Sequence, residues 1–224
     1  VSRAERVVLG VYALWAAFLV VVVLGREGLS ANNVTRLLVV AYLFAGLGWY
    51  ALTRRRAVRQ GAAAFVLRCT ASALAVELFY MPSRPVFAAL RWTRATPVGT
   101  LARHALVDLA FTAPAYIVIF SVCWLLLRRY RYRVAEYTLL FALGQALGDG
   151  NAFFVANPAA LWLAPWVMLN YQAINVVPYL RARPHLAGTR TSAARLMAPL
   201  VAIPATYWVM GACIKLVGRR LGLE

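Results

Sequence analysis

The 224-residue chain is poor in nearly every ionisable residue except arginine. Its three cysteines, Cys69, Cys123 and Cys213, stand alone inside apolar runs, with no CxxC pair and no repeated spacing. That excludes a disulfide framework or a thiol-redox motif, and the three read as small buried hydrophobes. There are two histidines, and only His104 lies near any acidic residue within an apolar run, so no metal centre is expected. The one lysine, Lys215, lies at the end of the last apolar run, which argues against a retinal-type Schiff base at mid-span. Only seven residues are acidic, while 63% are hydrophobic and the mean hydropathy is +0.70, values foreign to a soluble domain. No stretch alternates like the strand of a membrane barrel.

What the chain does have is long apolar runs. Seven can be read, at 7–24, 37–52, 62–81, 105–127, 135–155, 159–180 and 197–217. Most approach the roughly 20 residues of helix that a hydrocarbon core requires, and the second borrows flanking residues to do so. Lipid offers backbone groups no partner, so each run is expected to be a helix. The fold class is therefore all-α, a polytopic membrane bundle of about seven transmembrane helices. The first run, preceded by Arg3 and Arg6, is too long for a signal peptide, lacks a cleavage site and is read as a retained span. The net charge of +17 follows topology. Arginine clusters in "TRRRAVRQ" (53–60), "RRYRYR" (128–133) and "RARPHLAGTRTSAAR" (181–195) fall on the side of Arg3 and Arg6, which places the N-terminus in the cytoplasm. Nucleic acid is not expected as a partner, because no basic domain stands outside the bilayer. Arginine in place of lysine in an alanine-rich chain points to a bacterial cytoplasmic membrane.

The organisation reads as an N-terminal helix pair (1–60), a four-helix unit (61–187) and a C-terminal helix with its tail (188–224). The connection at 82–104 is long enough for a short interfacial helix or an ordered loop. "GQALG" (144–148) has the spacing of close helix packing, and the "NVT" sequon at Asn33 carries little weight in so short a loop.

Glu5, Glu27, Glu136 and Glu224 are terminal, in loops or at a helix start, where solvent accounts for them. Glu77, Asp108 and Asp149 fall inside apolar runs, each roughly 8–12 Å from the same boundary at ~1.5 Å per residue. Intramembrane charges face the bundle interior, so the three are expected to converge on one cavity, with Asn170 deeper in it. Residues three or four apart share a helix face. His104 therefore lies over Asp108 and Gln145 over Asp149, Tyr80 lies beside Glu77, and Phe111 follows Asp108. Trp162, Trp166 and Asn170 form a stripe on the sixth run. Carboxyls and aromatic faces both stabilise cations, which suits an apolar molecule that turns transiently cationic. No cofactor is expected.

These segments resemble the EXPERA domain, shared by the emopamil-binding protein (a sterol isomerase) and the sigma-2 receptor. The resemblance rests on "GQALGDGNAFF", "APWVMLNYQAINVVPYL" with the basic "RARPH" after it, "VDLAFTAPAYIVIF" and "AVELFYMPSRP", and covers about residues 61–187. It implies an EXPERA-like four-helix core. Gln145 and Asp149 match a GQxxGD motif, Asn170 a catalytic asparagine ahead of Pro178, Asp108 an acid six residues before Pro114, and Glu77 the acid of the first helix. Three positions depart from the family: Ala73 where the isomerase has histidine, Ala173 where tryptophan is expected, and Asp108 where the second acid is glutamate.

The expected function is a membrane isomerase of a sterol, terpenoid or similar polycyclic lipid, or a related cyclase. Glu77 and Asp108 would transfer protons, and Asn170 would steady the cation. Asp149, Gln145 and His104 would support them, and Tyr80, Phe111, Trp162 and Trp166 would contact the substrate. The alternative is a non-catalytic carrier, chaperone or receptor for a lipid, sterol or amphiphilic amine.

Overall fold

The computed structural model describes residues 2–54, 61–149, 153–186, 188 and 192–223. Most of the "TRRRAVRQ" cluster, residues 150–152 and Glu224 lie outside the described residues. Among the described residues the chain is helical, and five helices are long and apolar enough to cross a membrane. These are α1 (Arg3–Glu27), α2 (Ala31–Thr53), α3 (Ala62–Tyr80), α4 (Val98–Arg129) and α9 (Ala194–Arg220).

Local chemistry sets the boundaries. Ser2 and Glu5 form a reciprocal capping box at the start of α1, which ends at Gly28 with φ 62°. Ser30 caps α2 by accepting from the Asn33 amide at 3.3 Å. Asn33, the sequon residue, is fully buried and donates to the Gly28 carbonyl at 2.9 Å, so it closes the α1–α2 turn. Helix α2 begins at Ala31 instead of 37, which supplies the length that the apolar run lacked.

The expected spans at 135–155 and 159–180 are interrupted. The first comprises α5 (Val134–Glu136), a π-helical turn (Tyr137–Phe141) and α6 (Ala142–Gly148). It stops at Asp149, whose ψ of 164° is extended. After α7 (Phe153–Ala156) comes a 3₁₀ turn (Pro158–Leu163) in place of the first turn of the other span, and α8 runs from Ala164 to Ala182. Neither α6 nor α8 is among the five membrane-length apolar helices.

Helix α8 is the pillar of the bundle. It packs against α1, α2, α3 and α6, and 14 of its 19 residues are buried, whereas α1 buries two of 25 and α9 four of 27. The outward faces of α1 and α9 carry Val7, Val11, Leu14, Phe18, Val201 and Val209, the side chains that lipid accepts without cost. "GQALG" works as packing: Gly144 and Gly148 let α6 lie directly on Pro199, Pro204 and Tyr207 of α9. Pro199 cannot donate to the carbonyl of Arg195, and the Tyr132 hydroxyl fills that vacancy at 2.9 Å.

The 82–97 segment holds a three-residue 3₁₀ turn (Ala88–Leu90) in place of an interfacial helix. The Trp92 amide returns to the Met81 carbonyl at 3.0 Å, and Met81, Phe87 and Leu90 form a small apolar core beneath it. The result is a strap folded back over one end of the bundle.

Candidate functional site

The strap roofs a cavity of about 420 Å³ at the end of the bundle where α3 ends and α4 and α8 begin. Glu77 of α3, Asn170 of α8 and Asp149 just beyond α6 all line it. Each carboxyl is fixed by a tyrosine: the Tyr116 hydroxyl donates to Glu77 Oε1, and the Tyr171 hydroxyl to Asp149 Oδ2 at 2.5 Å. Tyr80 and Tyr207 complete an aromatic wall, with the Tyr80 hydroxyl buried and unpartnered. Arg84 and Arg91 of the strap stand exposed at the rim, and Arg36 of α2 lies buried in the lining.

Asp108 does not join them. Its carboxyl is fully buried, and Oδ1 accepts the Val86 amide at 2.6 Å. Its helical neighbours behave the same way. His104 Nδ1 meets the Leu90 carbonyl at 3.1 Å, and the Phe111 ring packs edge-on against Phe87, with centroids 4.9 Å apart. The stripe His104–Asp108–Phe111 was expected to serve the site. In the structure it is the clasp that pins the strap, and it acts on the cavity through Arg84, Pro85, Ala88 and Arg91.

The other expected residues divide. Gln145 is buried, but its amide donates to the Phe141 carbonyl at 3.1 Å and accepts from the Tyr207 hydroxyl at 3.3 Å. The Asp149 amide donates to the Gln145 backbone carbonyl at 2.9 Å, while the Gln145 side chain is engaged by Phe141 and Tyr207. Trp166 is buried away from the cavity lining, beneath the Arg36 guanidinium at 5.2 Å from the ring centroid. Trp162 is half exposed on the 3₁₀ turn and does not line the cavity. Aromatic lining therefore comes from tyrosine where tryptophan was expected.

Tyr116, Tyr171, Tyr207 and Arg36 escaped the sequence reading. A signal existed for the tyrosines, because a phenol well inside an apolar helix needs an acceptor for its proton. Pairing each with a carboxyl of similar depth would have found Tyr116 and Tyr171. Arg36 had no such mark, since it reads as one more topological arginine.

A second pocket, a groove of about 460 Å³ between α4 and α9, shares Tyr116, Asp149 and Tyr207 with the cavity. Those three side chains form a common wall. Among the described residues there is no cluster of histidine, cysteine, aspartate or glutamate able to hold a metal ion. Chemically, the arrangement presents two carboxyls with fixed orientation, an amide and phenol faces to one small volume. No protein family, curated protein or solved structure matches the chain, so the EXPERA resemblance rests on its quoted residues alone.

Proposed function

We propose that the chain is a membrane-embedded isomerase of a terpenoid, sterol or similar lipid that moves a double bond, or closes a ring, by proton transfer at Glu77 and Asp149. The observation that carries this reading is the pair of tyrosine-anchored carboxyls lining one cavity inside an apolar bundle. Tyr116 occupies Glu77 Oε1 and leaves Oε2 to carry the proton. In the forward step Glu77 gives that proton to one carbon of a double bond, and the electron pair of the π bond forms the new C–H bond. The neighbouring carbon becomes cationic, and the phenol faces and the Asn170 carbonyl stabilise it. Asp149 then takes a proton from an adjacent carbon, whose C–H electrons become the new double bond. Atoms and electrons balance without an oxidant, a reductant or a cofactor. Asp108 holds the strap in this scheme and transfers no proton.

The test is incubation of the purified protein with its co-purifying lipids in deuterated water, read by mass spectrometry. Deuterium should enter carbon positions. Glu77→Gln and Asp149→Asn should each slow incorporation by ~10²–10⁴-fold while lipid still binds, and Tyr116→Phe by less. Lipid that binds but never takes up deuterium would replace this reading with that of a carrier or receptor.

A further inference from the structure

The cavity contains a cation that the proton chemistry does not use. Arg36 is 8% exposed, and its Nε is buried without a partner. Its one hydrogen bond, from Nη1 to the Trp166 carbonyl, is long at 3.4 Å. Among the described residues no carboxylate lies within ion-pair distance, and the one such pair is Arg195–Glu136. The Trp166 face offsets part of the charge, but a buried guanidinium normally pairs with an anion through its planar fork of donors. Glu77 and Asp149 are held by tyrosines and do not fill that role. Arg84 and Arg91 bring two more guanidiniums to the rim of the same cavity.

An unmatched guanidinium would also oppose the cation that the proposed chemistry creates. Both difficulties vanish if an anionic group sits on Arg36. Resting on the isomerase reading, we propose that the ligand is an amphiphile with an anionic head, a phosphate or carboxylate, bound by Arg36 and steered by Arg84 and Arg91. Its apolar part is directed toward the groove between α4 and α9, which shares Tyr116, Asp149 and Tyr207 with the cavity. The head then sets which carbon reaches Glu77, so the position of the reacting double bond is measured from the anionic end. This ligand class differs from the amphiphilic amines that the sequence alone left open.

Binding can be measured on the whole protein in neutral maltoside micelles, with dodecyl phosphate as the probe followed by ³¹P NMR and calorimetry. Dodecyltrimethylammonium is the cationic control. Dodecyl phosphate should bind saturably and the ammonium should not. Arg36→Gln should weaken phosphate binding at least roughly tenfold, as befits loss of a charged hydrogen-bond donor set. Arg91→Gln, at an exposed position, should weaken it less and make the remaining affinity less salt-dependent, which keeps the test decisive if Arg36→Gln fails to fold. Gly48→Ala, away from the cavity and the groove, should leave it intact. Displacement by phosphatidylglycerol but not by inorganic phosphate identifies a lipid head, whereas displacement by inorganic phosphate identifies a soluble anion; either supports the anion site. Equal binding of the ammonium, no binding of dodecyl phosphate, or unchanged affinity in both arginine variants overturns it. Deuterium incorporation that survives such a result would leave the isomerase reading standing.

Discussion

Replacing Gly148 with alanine tests whether the α6–α9 contact carries the bundle and shapes the cavity together. A Cβ built there lies 2.6 Å from Tyr207 Cβ and 2.9 Å from Pro204 Cα. Ordinary contact begins near 3.4 Å, so something must yield by well over half an ångström, and one of the two obstacles is backbone. Helix α9 cannot relieve this by turning a side chain, and it must move off α6. Overpacking of this kind costs roughly 1–3 kcal/mol. For a chain of this size each kcal/mol lowers Tm by ~2–4 °C, so the midpoint in neutral detergent should fall by roughly 2–12 °C. Gly144→Ala should behave alike, because its Cβ meets the Pro199 carbonyl oxygen at 2.6 Å. Gly48, inside α2 with nothing within 4 Å, is the control. There alanine should hold or raise the midpoint, since its helix preference over glycine is worth up to about 1 kcal/mol. Tyr207 lines the cavity, so Gly148→Ala should also weaken binding of the dodecyl phosphate probe. An unchanged midpoint for both Gly144→Ala and Gly148→Ala, measured by the same thermal melt, would refute the packing argument.

Three further outcomes follow from named contacts. Asp108→Asn keeps an acceptor for the Val86 amide and should retain turnover, whereas Asp108→Leu strands that buried N–H and should cost about 1–3 kcal/mol in a thermal melt. A dead Asp108→Asn enzyme with an unchanged melt would return Asp108 to the chemistry. Glu136→Gln removes the carboxylate 2.7 Å from Arg195 but keeps an acceptor for the Arg133 amide; with both side chains 19% exposed, the loss should stay near 1 kcal/mol. Tyr171→Phe removes the phenol's hydrogen bond to Asp149 and should slow deuterium incorporation more than it weakens binding of dodecyl phosphate, a split that comparison of the two assays resolves.

Much of the cavity was legible because a polar residue in an apolar helix has few places to go. Glu77, Tyr80 and Asn170 line the cavity, where the preference of intramembrane polar groups for the interior puts them. Asp108 was expected in the same cavity on depth alone, and it is not among the residues that line it, because depth is one coordinate of three. In the structure its carboxylate accepts from the Val86 backbone amide of a strap whose fold-back no periodicity announces. Of the seven expected spans, five correspond to helices among the described residues that are long and apolar enough to cross a membrane. Hydropathy marks the lipid-facing helices well, and it fades where a helix is wrapped by protein or broken by Gly148, Asp149 and Pro158.

The burial of α8 has a consequence for how the protein is made. Its sequence carries Asn170, Gln172, Asn175 and Arg181 within 19 residues, a composition that a translocon would release poorly into lipid. The helices that surround it are the ones emerging earlier from the ribosome, α1, α2, α3 and α6. They form, in effect, a prepared socket, and α8 partitions from water into protein instead of into hydrocarbon. Assembly is therefore ordered: a lesion in α2 or α3 that leaves those helices inserted should still strand α8 outside. A glycosylation-mapping assay would then find the defect one or more helices downstream of the mutation.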